Sequence, residues 1–152
     1  MKVYRLRKDA KLPVRAHKTD AGMDLFYCPT NMNHDLYDEG FGIPPGTSKL
    51  IPTGLKFEVP KNHMLEIKNK SGVAFKRQLV VGACVVDSGY DGEVYVNLHN
   101  IGTGSQIIEP GEKIAQAVLI PIITCDVEEV EEDVLNKSTT RGEGGFGSTG
   151  DR

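Results

Sequence analysis

The chain has 152 residues and a formal net charge of −3 at pH 7. This length suffices for one domain with its own hydrophobic core, and nothing in the sequence suggests a second one. The slight acidity argues against a nucleic-acid binder, which would carry a basic face, although a few local basic groups can still bind a small anion.

The cysteines and the N-terminus indicate the compartment. Cys28, Cys84 and Cys125 are widely separated and form no CxxC pair, so neither a zinc site nor a disulfide framework is indicated. The N-terminus lacks the apolar segment of a signal peptide, and no apolar run approaches the roughly 18 residues of a membrane span. We therefore expect a protein of the reducing cytoplasm with no membrane partner.

Short apolar runs with a period of two dominate the chain and are separated by Gly, Pro, Asn and Asp. This pattern predicts an all-β sandwich or jelly roll. An extended segment begins at Val3, and further strands are predicted at residues 49–51, 55–59, 64–68, 79–86, 93–98 and 113–120. The strands at 94–98 and 114–120 should lie at the centre of the fold.

Two other segments break this pattern. One short helix is predicted at residues 73–77, with Ser71 as a favourable N-cap. Residues 28–46 read as a long surface loop that can include one short strand.

The C-terminal residues 140–152 are rich in glycine, and fixing each of them costs about 1–2 kcal/mol. They form either a disordered tail or an arm that orders on a ligand. Arg141, Phe146, Ser148 and Thr149 supply one cation, one aromatic ring and two hydroxyls, a set suited to closing over a nucleoside triphosphate. We therefore predict a β domain at 1–139 and a flexible arm at 140–152.

Several familiar catalytic motifs are absent from the sequence. The segment GEGGFGST lacks the lysine of a P-loop, and there is no HExxH, no GxSxG and no plausible Cys–His pair. The candidates that remain are water activation by a carboxylate and charge stabilisation by a metal ion and basic side chains.

Five segments suit chemistry on a nucleotide: AGMDL (21–25) with Asp24, NKSGVAFK (69–76) with Lys70 and Ser71, VVDSGYDGE (85–93) with Asp87 in a hairpin, PGEKIAQAV (110–118) with Gln116, and RGEGGFGSTG (141–150). Each alone has a simpler explanation as a turn, a hairpin cap or a surface charge. Together, in this order, they resemble the five motifs of the trimeric dUTPase family over residues 21–150.

The resemblance implies a dUTPase-like jelly roll that hydrolyses dUTP to dUMP and pyrophosphate with Mg²⁺. Such an enzyme keeps uracil out of DNA and supplies dUMP for dTMP synthesis. The family is a homotrimer whose sites are shared: one chain gives the uracil hairpin, a second gives motifs one, two and four, and a third lends its arm. Mg²⁺ would be held mainly by the triphosphate, with Asp24 as a contact through water.

The resemblance also implies roles for individual residues. Asp87 would hold the 3′-hydroxyl and act as general base for the attacking water, and Gln116 would contact the phosphates or that water. Tyr90 would leave no room for a ribose 2′-hydroxyl. The base and sugar pocket would comprise Cys84, Val86, Asp87, Tyr90, Tyr95 and Phe146, the last stacking on the uracil. The phosphate site would comprise Lys70, Ser71, Gly72, Gln116, Arg141, Gly147, Ser148 and Thr149.

Two positions depart from the family pattern. Lys70 replaces an arginine and loses the planar fork of that side chain. Cys84 replaces a glycine and is acceptable if its φ is negative. Three alternatives remain open. One is a dCTP deaminase, for which the sequence offers no clearly matched glutamate beside the base, and another is a catalytically silent binding protein with the same fold. The third is a structural role without a ligand, which leaves the glycine-rich arm unexplained.

Overall fold

The structure, a computed structural model, describes residues 1–30, 41–135 and 142. Over these residues the chain is all-β with one short helix, α1 (Ser71–Arg77), as the sequence predicts. A 3₁₀ turn at Glu132–Val134 was not predicted. The strands are β1 (Lys2–Arg5), β2 (Met23–Phe26), β3 (Phe41–Ile43), β4 (Ser48–Pro52), β5 (Leu55–Glu58), β6 (His63–Lys68), β7 (Leu79–Val81), β8 (Val85–Val86), β9 (Tyr95–Asn100), β10 (Gln106–Ile108) and β11 (Lys113–Pro121).

All strand pairings in the described part of the chain are antiparallel. A four-stranded sheet has the order β2-β11-β6-β8, and a three-stranded sheet has the order β4-β9-β7. Two pairs, β1-β5 and β10-β3, complete the framework. Strands β9 and β11 lie inside their sheets, which confirms the prediction that they are central.

One hydrophobic core joins all of these sheets, as expected for a jelly roll. Strand β9 illustrates the cause: Val96 and Leu98 are buried, while Tyr95 and His99 on either side of them are exposed. Burying one such large apolar side chain contributes about 1.5–3 kcal/mol. The largest side chains of the core include Leu25, Ile43, Ile51, Leu55, Leu65, Leu98, Ile108 and Ile114.

The predicted strand at 79–86 is wrong in one respect, because the structure divides it into β7 and β8, which belong to different sheets. The segment after β7 still pairs with β9 at Gly82, whose N–H donates to Asn97 O (2.9 Å). Two residues later it pairs with β6 of the four-stranded sheet, where Ile67 N donates to Cys84 O (2.7 Å). The predicted hairpin at 85–93 is therefore wrong in its pairing, because β8 pairs with β6. The strands that pair on either side of this segment are β7 and β9.

The prediction of Ser71 as N-cap is also wrong. Ser71 is the first helical residue, and the N-cap is Lys70, in an extended conformation with no side-chain capping bond. A lysine has no acceptor with which to cap an N–H group, and its ammonium group contacts Asp24 instead.

The long segment at 28–46 is described only in part, since residues 31–40 lie outside the described residues. Its last part forms β3, which pairs with β10, a strand that the sequence did not predict. The predicted boundary between domain and arm at 139–140 also lies outside the described residues. Within the described residues, no helix has the length and apolar character needed to cross a bilayer.

Candidate functional site

A cavity of about 270 Å³ lies beside β8 and the connection that follows it. It brings together Cys84, Val86, Asp87, Tyr90 and Tyr95, which are five of the residues predicted for the base and sugar. Its other lining residues are Leu50, Ile67, Ala83, Val85, Glu93 and Val94. A larger cavity of about 720 Å³ between β1, β5 and residues 88–91 contains only Tyr90 from the predicted set, so we take the smaller one as the candidate site.

A tight turn presents Asp87 and Tyr90 at this cavity. Tyr90 N donates to Asp87 O (3.1 Å), which closes the turn, and the Tyr90 hydroxyl donates to Glu93 O (2.9 Å). Gly92 permits this fold-back, because a Cβ there would lie 2.2 Å from the Tyr90 hydroxyl oxygen. The Tyr90 ring is therefore fixed at both ends, while Asp87 is exposed.

The backbone at Cys84 is compatible with its place in the pocket. Among the non-glycine residues described, only Asn62 and Gln78 have a positive φ. Cys84 thus meets the condition set by its replacement of a glycine. Strand β8 lies at the edge of its sheet, and an edge strand offers backbone N–H and C=O groups on its outer side.

Glu93, which the sequence did not single out, is the charged group beneath the pocket. Its carboxylate accepts hydrogen bonds from Arg7 and from Gly54 N (2.7 Å). Burial acts to raise the pKa of Glu93, but the hydrogen bonds from Arg7 and Gly54, with a smaller effect of the Tyr95 hydroxyl, outweigh burial and hold it below its usual value. Burial and the negative charge of Glu93 together raise the pKa of Tyr95.

A second group of predicted residues surrounds Asp24, at the pairing of β2 with β11. Lys70 Nζ donates to Asp24 Oδ1 (2.7 Å), and Lys113 Nζ lies 2.7 Å from Oδ2 as an ion pair outside hydrogen-bond geometry. Burial acts to raise the pKa of Asp24, but the two ammonium groups outweigh it, so the net shift is downward. Two cations on one carboxylate leave a net positive charge, which suits an anionic ligand.

Gln116 lies opposite both Asp24 and Lys68 in the sheet. Its side-chain amide donates to Asn69 O (2.9 Å), immediately before Lys70. Gly22 makes room for this side chain, since a Cβ at Gly22 would lie 2.0 Å from Gln116 Oε1. The position of Gln116 therefore depends on the absence of a side chain at residue 22.

The carboxylates of buried Asp24 and half-buried Glu93 predict how the stability of the fold depends on pH. The usual pKa values of Asp24 and Glu93 are 3.8 and 4.5, and both are lower in the folded chain. Below these values the unfolded chain binds more protons than the folded one, so stability present at neutral pH is lost on acidification. We expect the free energy of unfolding, measured by urea titration, to fall steeply below about pH 4.5. The decrease should be shallower in Glu93→Gln than in the exposed control Glu129→Gln, and equal slopes would contradict this account.

The structure brings the predicted residues together as two groups rather than one. Asp24, Lys70 and Gln116 do not line the cavity at β8, and Ser71 and Gly72 are exposed at the start of α1. Arg141, Phe146, Gly147, Ser148 and Thr149 lie outside the described residues. Lys113 was missed, although its place in PGEKIAQAV, at the start of the strand that carries Gln116, was a usable signal. Glu93 closes the segment VVDSGYDGE and so had a signal of the same kind, whereas Arg7 lies outside all five segments.

The described residues contain no cluster of three or more His, Cys, Asp or Glu side chains that could hold a metal ion. Asp24 comes nearest in chemical type, but both of its oxygens already contact ammonium groups. Direct coordination of a divalent cation by Asp24 would therefore require the loss of at least one of these ammonium contacts.

Comparisons with known proteins agree on one family. The dUTPase family model matches residues 8–150. The deoxyuridine 5′-triphosphate nucleotidohydrolase of Gloeothece citriformis is 43% identical, with 99% of this chain and 96% of the relative covered. That of Clostridium tetani is 41% identical, with the same coverage.

Solved structures agree with these sequences. The dUTPase of Staphylococcus bacteriophage 80alpha, solved with dUPNHPP, has a TM-score of 0.82 and 31% identity, covering 98% of this chain and 97% of its own. A mutant dUTPase of S. aureus phage phi11, solved for the coordination of a structural Mg(II) ion, has a TM-score of 0.70 and 27% identity, covering 86% of this chain and 96% of its own. The family match and these relatives extend over both groups of site residues, and the chain belongs to the dUTPase family.

Proposed function

We propose that this protein hydrolyses dUTP to dUMP and pyrophosphate at the cavity beside β8. The observation that carries the proposal is the meeting of Asp87, Tyr90 and Tyr95 around one cavity of about 270 Å³ in a chain of this family. The volume is close to the lower limit of typical ligand sites, which suits one base and its sugar.

The uracil would be recognised by the backbone of the edge strand β8. Cys84 O is already engaged by Ile67 N (2.7 Å), so the base would use the outward groups of the strand. Tyr90, whose hydroxyl donates to Glu93 O, would lie under the deoxyribose and exclude a 2′-hydroxyl. Phe146 would stack on the base from the arm, a contact worth about 1–3 kcal/mol.

The triphosphate would lie against the group around Asp24. Lys70, Ser71, Gly72 and Gln116 would bind the phosphates, joined by Arg141, Gly147, Ser148 and Thr149 of the arm. The net positive charge of Lys70, Lys113 and Asp24 supports this assignment. Because these residues do not line the cavity at β8, we infer a homotrimer with shared sites. One chain supplies the base and sugar pocket, a second supplies the phosphate-binding residues around Asp24, and a third supplies the arm.

Asp87 would supply the chemistry of the attack. As an exposed carboxylate at the mouth of the cavity, it would accept a proton from water and orient it in line with the α-phosphorus. Mg²⁺, held by phosphate oxygens and water, would neutralise phosphate charge and orient the chain of phosphates. Asp24 would contact that ion through water. Its present ammonium partners argue against direct coordination.

Product analysis tests the proposal. The protein is incubated with dUTP, dCTP, dTTP and UTP, each with Mg²⁺ and with EDTA, and the products are separated chromatographically. We expect dUMP and pyrophosphate from dUTP only, with loss of turnover in EDTA. Ammonia from dCTP would make the protein a deaminase. No product from any substrate would indicate a binding protein on the same fold.

Gly22→Ala is expected to lower dUTP turnover without unfolding the chain. The new Cβ would force the flexible end of the Gln116 side chain away from Asn69 O. It would also lie 3.1 Å from Gln116 Cβ, which has to shift by only a few tenths of an ångström. Displacing a positioned group by about 1 Å can cost on the order of 100-fold in rate. The matched control is Gly104→Ala, since a Cβ at Gly104 meets nothing within 4 Å. Equal kcat values for the two variants would contradict the assigned role of Gln116.

A further inference from the structure

The ion pair between Arg7 and Glu93 is the most connected one in the described part of the chain. Arg7 Nη1 donates to Glu93 Oε2 (3.0 Å), and Nη2 donates to Oε1, so the pairing is bidentate. The two side chains are only 20% and 10% exposed. Such a fork fixes the position of a carboxylate more strictly than a lysine could.

Arg7 is itself held in place by two other segments. Nη2 donates to Cys28 O (3.1 Å), and Nε donates to Cys28 Sγ (3.4 Å). The preceding residue, Leu6, donates its N–H to Gly54 O (2.8 Å), while Gly54 N donates to the Glu93 carboxylate (2.7 Å). Glu93 is thus anchored to the N-terminal segment, the end of β2 and the turn before β5.

Glu93 in turn contacts both tyrosines of the cavity. Its backbone carbonyl accepts the Tyr90 hydroxyl (2.9 Å), and its carboxylate lies close enough to the Tyr95 hydroxyl for each group to shift the pKa of the other. Both rings line the cavity, and Arg7 does not. Glu93 is therefore the direct link between Arg7 and the two tyrosines of the pocket.

We propose that Arg7 is a positioning residue for substrate selection: through Glu93 it sets the Tyr90 and Tyr95 rings that shape the base and sugar pocket. This inference rests on the proposed function. If the pair served stability alone, its loss would lower the melting temperature and leave the selectivity for deoxyribose unchanged. Buried ion pairs are in general weak evidence for a stabilising role.

Kinetics of two variants in the full chain test the inference. Arg7→Lys keeps the charge and loses the fork, and Arg7→Gln/Glu93→Gln removes both charges and leaves none buried without a partner. We expect KM for dUTP to rise about 10- to 100-fold and the ratio of kcat/KM for dUTP to that for UTP to fall, with a smaller change in kcat. Unchanged KM and an unchanged ratio, or a loss confined to kcat, overturn the inference.

The matched control is Lys56→Gln. Lys56 of β5 pairs with Asp91 (3.2 Å) of the connection after β8. This ion pair also links the connection to β5, but the Asp91 side chain is 95% exposed. We expect wild-type KM and selectivity from this variant. A change equal to that of Arg7→Lys would mean that any tether of the connection has the same effect, and would overturn the specific role of Arg7.

Tyrosine spectra separate this inference from the proposed function. With ¹³C-labelled tyrosine and no nucleotide present, Arg7→Lys should shift the Tyr90 and Tyr95 ring resonances and leave those of Tyr4 in place. Unshifted Tyr90 and Tyr95 resonances overturn the role of Arg7 even if dUTP is hydrolysed. If dUTP is not hydrolysed by the wild-type protein, the proposed function fails, and the spectra still decide the role of Arg7.

Discussion

Asp87→Asn is expected to lower kcat for dUTP by about 10²- to 10⁴-fold, the range that general-base catalysis contributes. The amide cannot accept the proton of the attacking water. It keeps the size of the side chain, and the Tyr90 N to Asp87 O bond that forms the turn involves only backbone atoms. Binding of dUTP, measured by calorimetry, should therefore stay within a few-fold of wild type.

Asp91→Asn is the matched control for this prediction. Asp91 lies in the same connection, is 95% exposed and pairs with Lys56 rather than lining the cavity. Its replacement should leave kcat near the wild-type value. Substantial turnover by Asp87→Asn would refute the role of Asp87 as base, whereas weak dUTP binding by that variant would assign it to the pocket instead.

Removal of residues 141–152 is expected to leave a folded protein with dUTP turnover reduced at least about 100-fold. The core residues identified in the structure end at Ala117, so folding should not need this segment. The truncation removes Arg141 and Phe146, for which we propose a charged phosphate contact and a stacking contact. Such contacts contribute about 1.5–3 and 1–3 kcal/mol respectively.

A chain that ends at Gly150 is the control for the truncation, because it keeps RGEGGFGSTG and loses only the two residues after it. Thermal unfolding and kcat are measured for both proteins. Full activity in the shorter chain would contradict the role of the arm. Loss of cooperative unfolding there would show that the segment is structural.

Much of the fold could be predicted from the sequence, because short apolar runs mark most strands and the period of two is strong in β9, where buried residues alternate with accessible ones. The errors arose where tertiary pairing overrides local pattern. Residues 79–86 are apolar throughout, yet β7 and β8 pair with different sheets, and no local signal specifies that exchange. Ser71 is a good N-cap by residue type. In the structure the N-cap is Lys70, whose side chain contacts Asp24, so the helix begins one residue earlier than it would with Ser71 as N-cap.

The candidate site likewise contains residues that the sequence predicts and residues that only the folded chain brings together. Asp87 and Tyr90 lie together because they belong to one turn, and short-range motifs predict such groupings well. Arg7 and Glu93 are 86 residues apart and belong to no common motif, so only the folded chain reveals their pairing. Lys113 lies next to Asp24 because of the register of β11 on β2, which includes an irregularity between Lys113 and Ala115. Such a shift is not evident from residue types alone.

Hydrolysis of dUTP in water enriched in ¹⁸O tests the central claim most directly. Mass spectrometry of the two products locates the oxygen that came from the solvent. Attack of water on the α-phosphorus beside Asp87 predicts one ¹⁸O atom in dUMP and none in pyrophosphate. Label in the pyrophosphate, or release of orthophosphate in place of pyrophosphate, would mean that the attack occurs at another phosphorus and would contradict the proposed geometry of the site.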